Sequence, residues 1–134
     1  MSAKTLETLK IDWIIHYVFD DKTEGCFPEF MINAHTHGLE KYNHLDFQVV
    51  LEMPPALTGN LLNEMGLRVQ RGERYKDGDI VSDLLQNGYD VRLVEREEMD
   101  RKVLRLLIPD ENNRFPEDKL CQYPYNFQKD FSTK

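Results

Sequence analysis

Four side chains between residues 35 and 46 could do chemistry together: His35, His37, His44 and Asp46. A His-x-His pair on an extended strand puts two imidazoles on one side, about 7 Å apart along the chain. With a third histidine and a carboxylate brought across a hairpin, the set could hold zinc or another divalent transition metal. That would make a metal-dependent hydrolase or related enzyme. The competing reading is a polar sheet face, in which the histidines cover apolar side chains and pair with Asp46 or Glu40. A second set is basic. Arg68, Arg71 and Arg74 gather around Glu73, and Arg114 follows later in the chain. Guanidinium groups clamp carboxylates and phosphates, which points to an anionic-ligand sensor built on Arg74 and Arg114. They equally suit a solvated helix end, where the macrodipole favours cations. Cys26 and His16 could form a thiol–imidazole pair, against the plainer fate of a buried inert cysteine. The chain has no Gly-x-Ser-x-Gly, no phosphate-binding glycine loop and no Cys-x-x-Cys.

The elements that must position these groups follow from periodicity. Ile11, Trp13, Ile15, Tyr17 and Phe19 alternate with polar residues, the pattern of a half-buried strand. A turn over 20–25 leads to a second strand, Phe27 to His37, with Phe30, Ile32 and Ala34 on its apolar side. A turn over 38–43 leads to a third, Leu45 to Met53, apolar at its odd positions. If the three form antiparallel hairpins over a common core, His16, His35, His37, His44 and Asp46 project from the opposite face. The turn would bring His37 near His44 and His35 near Asp46, with His16 far along the sheet.

Pro54 and Pro55 end the third strand and open a helix running to Arg71, since proline loses nothing at a first helical turn. Leu57, Leu61, Leu62, Met65 and Val69 form its apolar stripe. Gly59 and Gly66 lie off that stripe, as tolerated losses of helix propensity or as points of close approach. Asp79 reads as the N-cap of a helical turn over Ile80 to Leu85. Tyr89 to Glu95 is a fourth strand, and Glu97 to Lys102 a solvated connector or one helical turn. Val103 to Ile108 is a fifth strand, almost continuously apolar and so central. Tyr123, Tyr125, Phe127 and Phe131 mark a tail that can pack over the sheet. The expected fold is α+β: a mainly antiparallel sheet of about five strands under one main helix. Residues 1–134 read as one domain, with 1–10 and 122–134 as mobile or interface-forming ends.

With 17 basic and 24 acidic residues the formal net charge is −7. That argues against nucleic acid, whose phosphates require clustered Lys and Arg. No run reaches the roughly 18 apolar residues of a membrane span, and no signal-peptide core opens the chain. Two cysteines without a spacing motif suit a reducing compartment, so a cytoplasmic setting is expected.

Several short stretches then line up in order: Thr36-His37-Gly38-Leu39, His44, Leu62-Asn63, Gly72-Glu73-Arg74-Tyr75, Pro109-Asp110 and Arg114-Phe115-Pro116. From Phe27 to Asp118 the sequence resembles a bacterial domain-of-unknown-function family, number 4262. His44, Arg74 and Arg114 match its pattern, whereas the family usually has an aliphatic residue at the position of His37 and Pro-Glu in place of Leu45-Asp46. The resemblance implies a fold and a bacterial setting, and carries no activity. The leading expectation is a non-enzymatic binding or interaction module acting through His44, Arg74 and Arg114. Its partner would be a small molecule, another protein or a second copy of the chain.

Overall fold

The first three alternating runs become strands β1 (Ile14–Val18), β2 (Met31–His37) and β3 (Asp46–Leu51). The computed structural model describes residues 10–18, 27–98 and 100–132; Phe19, the turn expected over 20–25, and Cys26 lie outside the described residues. Helix α1 (Pro55–Gln70) follows, then β4 (Ile80–Val81), β5 (Val91–Glu98) and β6 (Arg101–Leu107). The six strands form one sheet in the order β1-β2-β3-β6-β5-β4. All neighbours are antiparallel except β3 and β6, which run parallel. A parallel pair needs a crossover connection, and α1 with β4 and β5 supplies it. The fold is α+β as expected, with one strand more than expected.

Two segments depart from the periodicity reading. Ile80 and Val81 are not helical but pair with Arg92 and Val91. Asp79, expected as a helix N-cap, instead accepts the Lys76 N–H at 2.9 Å. A short apolar run carries no period of its own, and the open edge of β5 decides its state. Likewise 97–102 is no connector: β5 and β6 pair through Glu97↔Lys102 and Glu98↔Arg101. Asp100 adopts a left-handed φ of 64° in the intervening turn.

One face of the sheet carries the apolar core. Leu61, Leu62, Met65 and Val69 of α1 pack on Ile32, Ala34, Phe47, Val49, Leu104 and Leu106. Trp13 joins them, its indole N–H donating to Asn63 Oδ1 at 2.9 Å. Gly66 is where that ring lies on the helix, for a Cβ there would stand 2.5 Å from Trp13 Cζ2. Gly59 faces open space. Leu57, expected in the buried stripe, is 43% exposed in the first turn of α1.

The other face is polar and still buried. Arg105 is fully covered, ion-paired to Glu98, and donates through Nε to Gln48 Oε1 at 2.7 Å. Its Nη1 reaches the main-chain carbonyls of Gln128 at 2.8 Å and Phe131 at 2.7 Å. Burial pushes the guanidinium down to about 10, against the pull of Glu98, so it stays charged at neutral pH. Gln128 seals the tail by donating to the Ile108 carbonyl at 2.6 Å while its Oε1 accepts the Ile108 N–H at 2.9 Å. Phe131 and Phe127 pack beside it on Met31 and Val50. The aromatic tail thus lies over the sheet.

The two glycines separate helix propensity from packing. Gly59→Ala should stabilise the protein by about 1 kcal/mol, the usual Gly-to-Ala gain inside a helix. Gly66→Ala should destabilise it, because the new methyl meets a fixed indole. Chemical denaturation of both variants checks this, and a stabilised Gly66→Ala would show that Trp13 is free to move.

Candidate functional site

On the polar face, strand pairing sets His16 directly opposite His35. The ring centroids of His16 and His35 are 5.1 Å apart, and those of His16 and His37 5.5 Å apart, the second pair nearly parallel at 10°. His16 is therefore a neighbour of the other two, not remote from them, because the β1–β2 register aligns the middle of one strand with the end of the other. His35 is buried, and its Nδ1 lies 3.0 Å from Asn33 Oδ1, which also accepts from Gln48 Nε2 at 3.0 Å. The contact assigns the proton to Nδ1. Burial, with the nearby Arg101 charge and His16, holds the His35 imidazole down to about 4, Asp46 pulling the other way.

Asp46 does not face His35, whose partner across the ladder is Gln48. Its Oδ1 accepts from Thr36 Oγ1 at 2.8 Å and from the Leu39 N–H at 3.1 Å. Its Oδ2 takes Arg101 Nη1 at 2.6 Å. The carboxylate thus closes the β2–β3 turn and ties it to the start of β6.

His44 leaves the group altogether. The turn is a 3₁₀ segment, Leu39–Tyr42, followed by Asn43 at a left-handed φ of 58°. That rotation delivers His44 to the helix side of the sheet, its ring 5.3 Å from Phe47 and 6.2 Å from Tyr75. Its Nε2 accepts the Tyr75 N–H at 3.0 Å and its Nδ1 lies 2.8 Å from the Leu45 carbonyl. Both ring nitrogens are engaged, with the proton on Nδ1. The expectation that His35, His37, His44 and Asp46 share a face is thereby corrected at His44. Among the described residues, no group of three or more His, Cys, Asp or Glu side chains is placed to hold a metal ion.

The arginines also separate. Arg68 is bound to Glu64 and Asp83, each at 2.8 Å, and Arg71 approaches Glu64 and Glu73. Arg74 donates to the Val69 and Glu73 carbonyls, at 3.1 and 2.9 Å, capping the end of α1. It lines a shallow groove of about 340 Å³ with His44, Tyr75 and Glu40. Arg114 is not there. It donates to the Leu120 carbonyl at 2.9 Å, inside the loop that follows β6.

The profile of a domain-of-unknown-function family, DUF4262, matches residues 9–122. The chain belongs to the DUF4262 family. No curated protein and no solved structure matches it. In this DUF4262 chain the stretches that carried the resemblance meet in pairs: His44 with Tyr75, and Asp110 with Arg114, whose N–H reaches Asp110 Oδ1 at 2.9 Å. The first contact joins the turn after β2 to the loop after α1, and the second closes a turn within the loop after β6.

The larger concavity lies elsewhere, lined in part by the Pro109-Asp110 stretch. A groove of about 490 Å³ runs between Phe30, Leu51, Met53, Leu57, Ile108 and Tyr125. A second of about 480 Å³ continues it along α1 past Leu57, Leu61 and Leu85. Phe30 was expected on the buried parity of β2. It takes a φ of 68°, held by the turn bond Met31 N–H to Pro28 O at 3.0 Å, and the residue is 48% exposed at the groove mouth. The left-handed region is strained for a bulky side chain, at a cost of about 1–3 kcal/mol, and such strain gathers at ligand sites. Two features noted in the sequence line this site, Leu57 in the first turn of the apolar stripe and the Pro109-Asp110 stretch.

His35 makes acid stability testable. Its folded value lies below the unfolded one, so the unfolded chain binds the extra proton first and stability falls as pH drops from about 6.5 toward 4. The loss should reach up to about 3 kcal/mol. His35→Gln, which keeps a donor for Asn33 without titrating, should flatten that window in denaturation curves measured across it. An unchanged slope would remove His35 as its source.

Proposed function

We propose that this domain is a non-enzymatic binding module of the bacterial cytosol, and that its ligand lies in the apolar groove beneath Phe30 and Leu57. The groove carries the reading. Its size is that of a small-molecule site, typically about 300–1,000 Å³ with mostly apolar walls. Two large apolar side chains stand half-exposed at its mouth, and one is held there against backbone preference. The groups best suited to acid–base work support the same view. His44 has both nitrogens engaged, Asp46 has both oxygens engaged, and His35 is buried and bound to Asn33. We therefore place the ligand in the groove rather than at His44, Arg74 and Arg114.

Nile red, a neutral apolar dye, tests the site. Wild-type protein should bind it saturably with a rise in fluorescence. Phe30→Asp combined with Leu57→Asp should weaken binding by about tenfold or more, because burying each apolar side chain is worth roughly 1.5–3 kcal/mol. Ile14→Asp, at a residue 56% exposed outside both grooves, should bind as wild type does. Equal binding by all three proteins would overturn the assignment.

A further inference from the structure

We propose that one end of this groove is a receptor for an organic ammonium group, so that the ligand is a small amphiphile with an apolar body and a cationic head. The inference rests on the groove reading above and names the class of ligand. A smaller cavity, about 180 Å³, joins the groove through Asp110, Glu111 and Tyr125, and adds Tyr123 to its wall. Asp110 is only 5% exposed. Its Oδ1 accepts the Asn112 and Arg114 N–H groups, both at 2.9 Å, while no protein donor meets its Oδ2 among the described residues. The turn is closed by Asp110 N–H to Arg114 O at 3.0 Å, with Asn113 at a φ of 61°. That carboxylate is thus held in place before any ligand arrives.

Glu111 adds a second negative charge. Its backbone carbonyl is held by the Tyr89 hydroxyl at 3.0 Å, and its carboxylate has no ion-pair partner among the described residues. Neither cavity is lined by Lys or Arg. Burial and the charges of Glu111 and Asp110 all push the Tyr125 phenol up, so both carboxylates act on the same space. Tyrosine faces attract an ammonium group through their quadrupoles, and carboxylates pair with it. An anionic head would meet two carboxylates and no cation.

Three eight-carbon probes of equal length separate the body from the head: octylamine (protonated at pH 7), octan-1-ol and octanoate, each read by displacement of Nile red. Octylammonium should bind about tenfold more tightly than octanol, the order expected of a cation held by aromatic faces and carboxylates. Octanoate should bind most weakly. Glu111→Gln and Tyr123→Leu should each reduce affinity for octylammonium and leave that for octanol unchanged. If octanol and octylammonium bind equally, the ammonium receptor is wrong and the groove stands. If no probe displaces the dye, the groove reading falls as well.

Discussion

The buried ion pair between Arg105 and Glu98 ties the polar face of the sheet together. Taking two charges out of water is costly, and their attraction compensates only when further hydrogen bonds satisfy them. Here Glu98, Gln48 and the carbonyls of Gln128 and Phe131 divide the guanidinium donors among three chain segments. Removing one member of such a pair leaves an uncompensated buried charge, typically about 3–5 kcal/mol. The pair also links distant parts of the chain. It joins β5 to β6, β6 to β3, and the sheet to the tail.

That last link connects the polar face to the proposed binding site. The tail seated by Arg105 and Gln128 contributes Tyr125 to the groove and Tyr123 to the acidic cavity at its end. The two faces of the sheet therefore have different duties. The helix side supplies apolar burial. The polar side uses charge and hydrogen bonding to hold a segment that would otherwise offer aromatic rings to water. Asn33, Gln48 and His35 extend the same layer toward the β1 edge, where His35 is bound into a hydrogen-bonded surface.

Much of the fold was legible. Alternation in the first three strands names the sides that Trp13, Ile32, Ala34, Phe47 and Val49 bury, and those residues form the core, with Ile15 packed against it. The helix stripe holds from Leu61 to Val69. The candidate site was much less legible. His44 and Phe30 each follow the parity of a neighbouring strand in sequence, and each is turned away by a left-handed residue, Asn43 before His44 and Phe30 itself. A single such rotation reverses a side chain without leaving a mark in the apolar pattern. Arg105 reads as a polar interruption in Val-Leu-Arg-Leu-Leu-Ile, and nothing near it in sequence announces Glu98, Gln48 and the tail as its partners.

The division follows from the range of the forces. Side-chain period is a property of the local backbone, so local pattern alone makes residues 46–51 a strand, begins a helix at Pro55, and sets which flank of each is apolar. Strand order, the parallel pairing of β3 with β6, the conversion of Ile80 and Val81 to an edge strand, and the covering of the polar face were decided by tertiary structure alone. Each depends on which distant donors, acceptors and open sheet edges come within hydrogen-bonding range. A buried polar group must be satisfied, but its sequence says only that a partner is needed. For Arg105 and Asp46 the assembled fold chose the partner, and in holding the tail beside Asp110 it also shaped the groove.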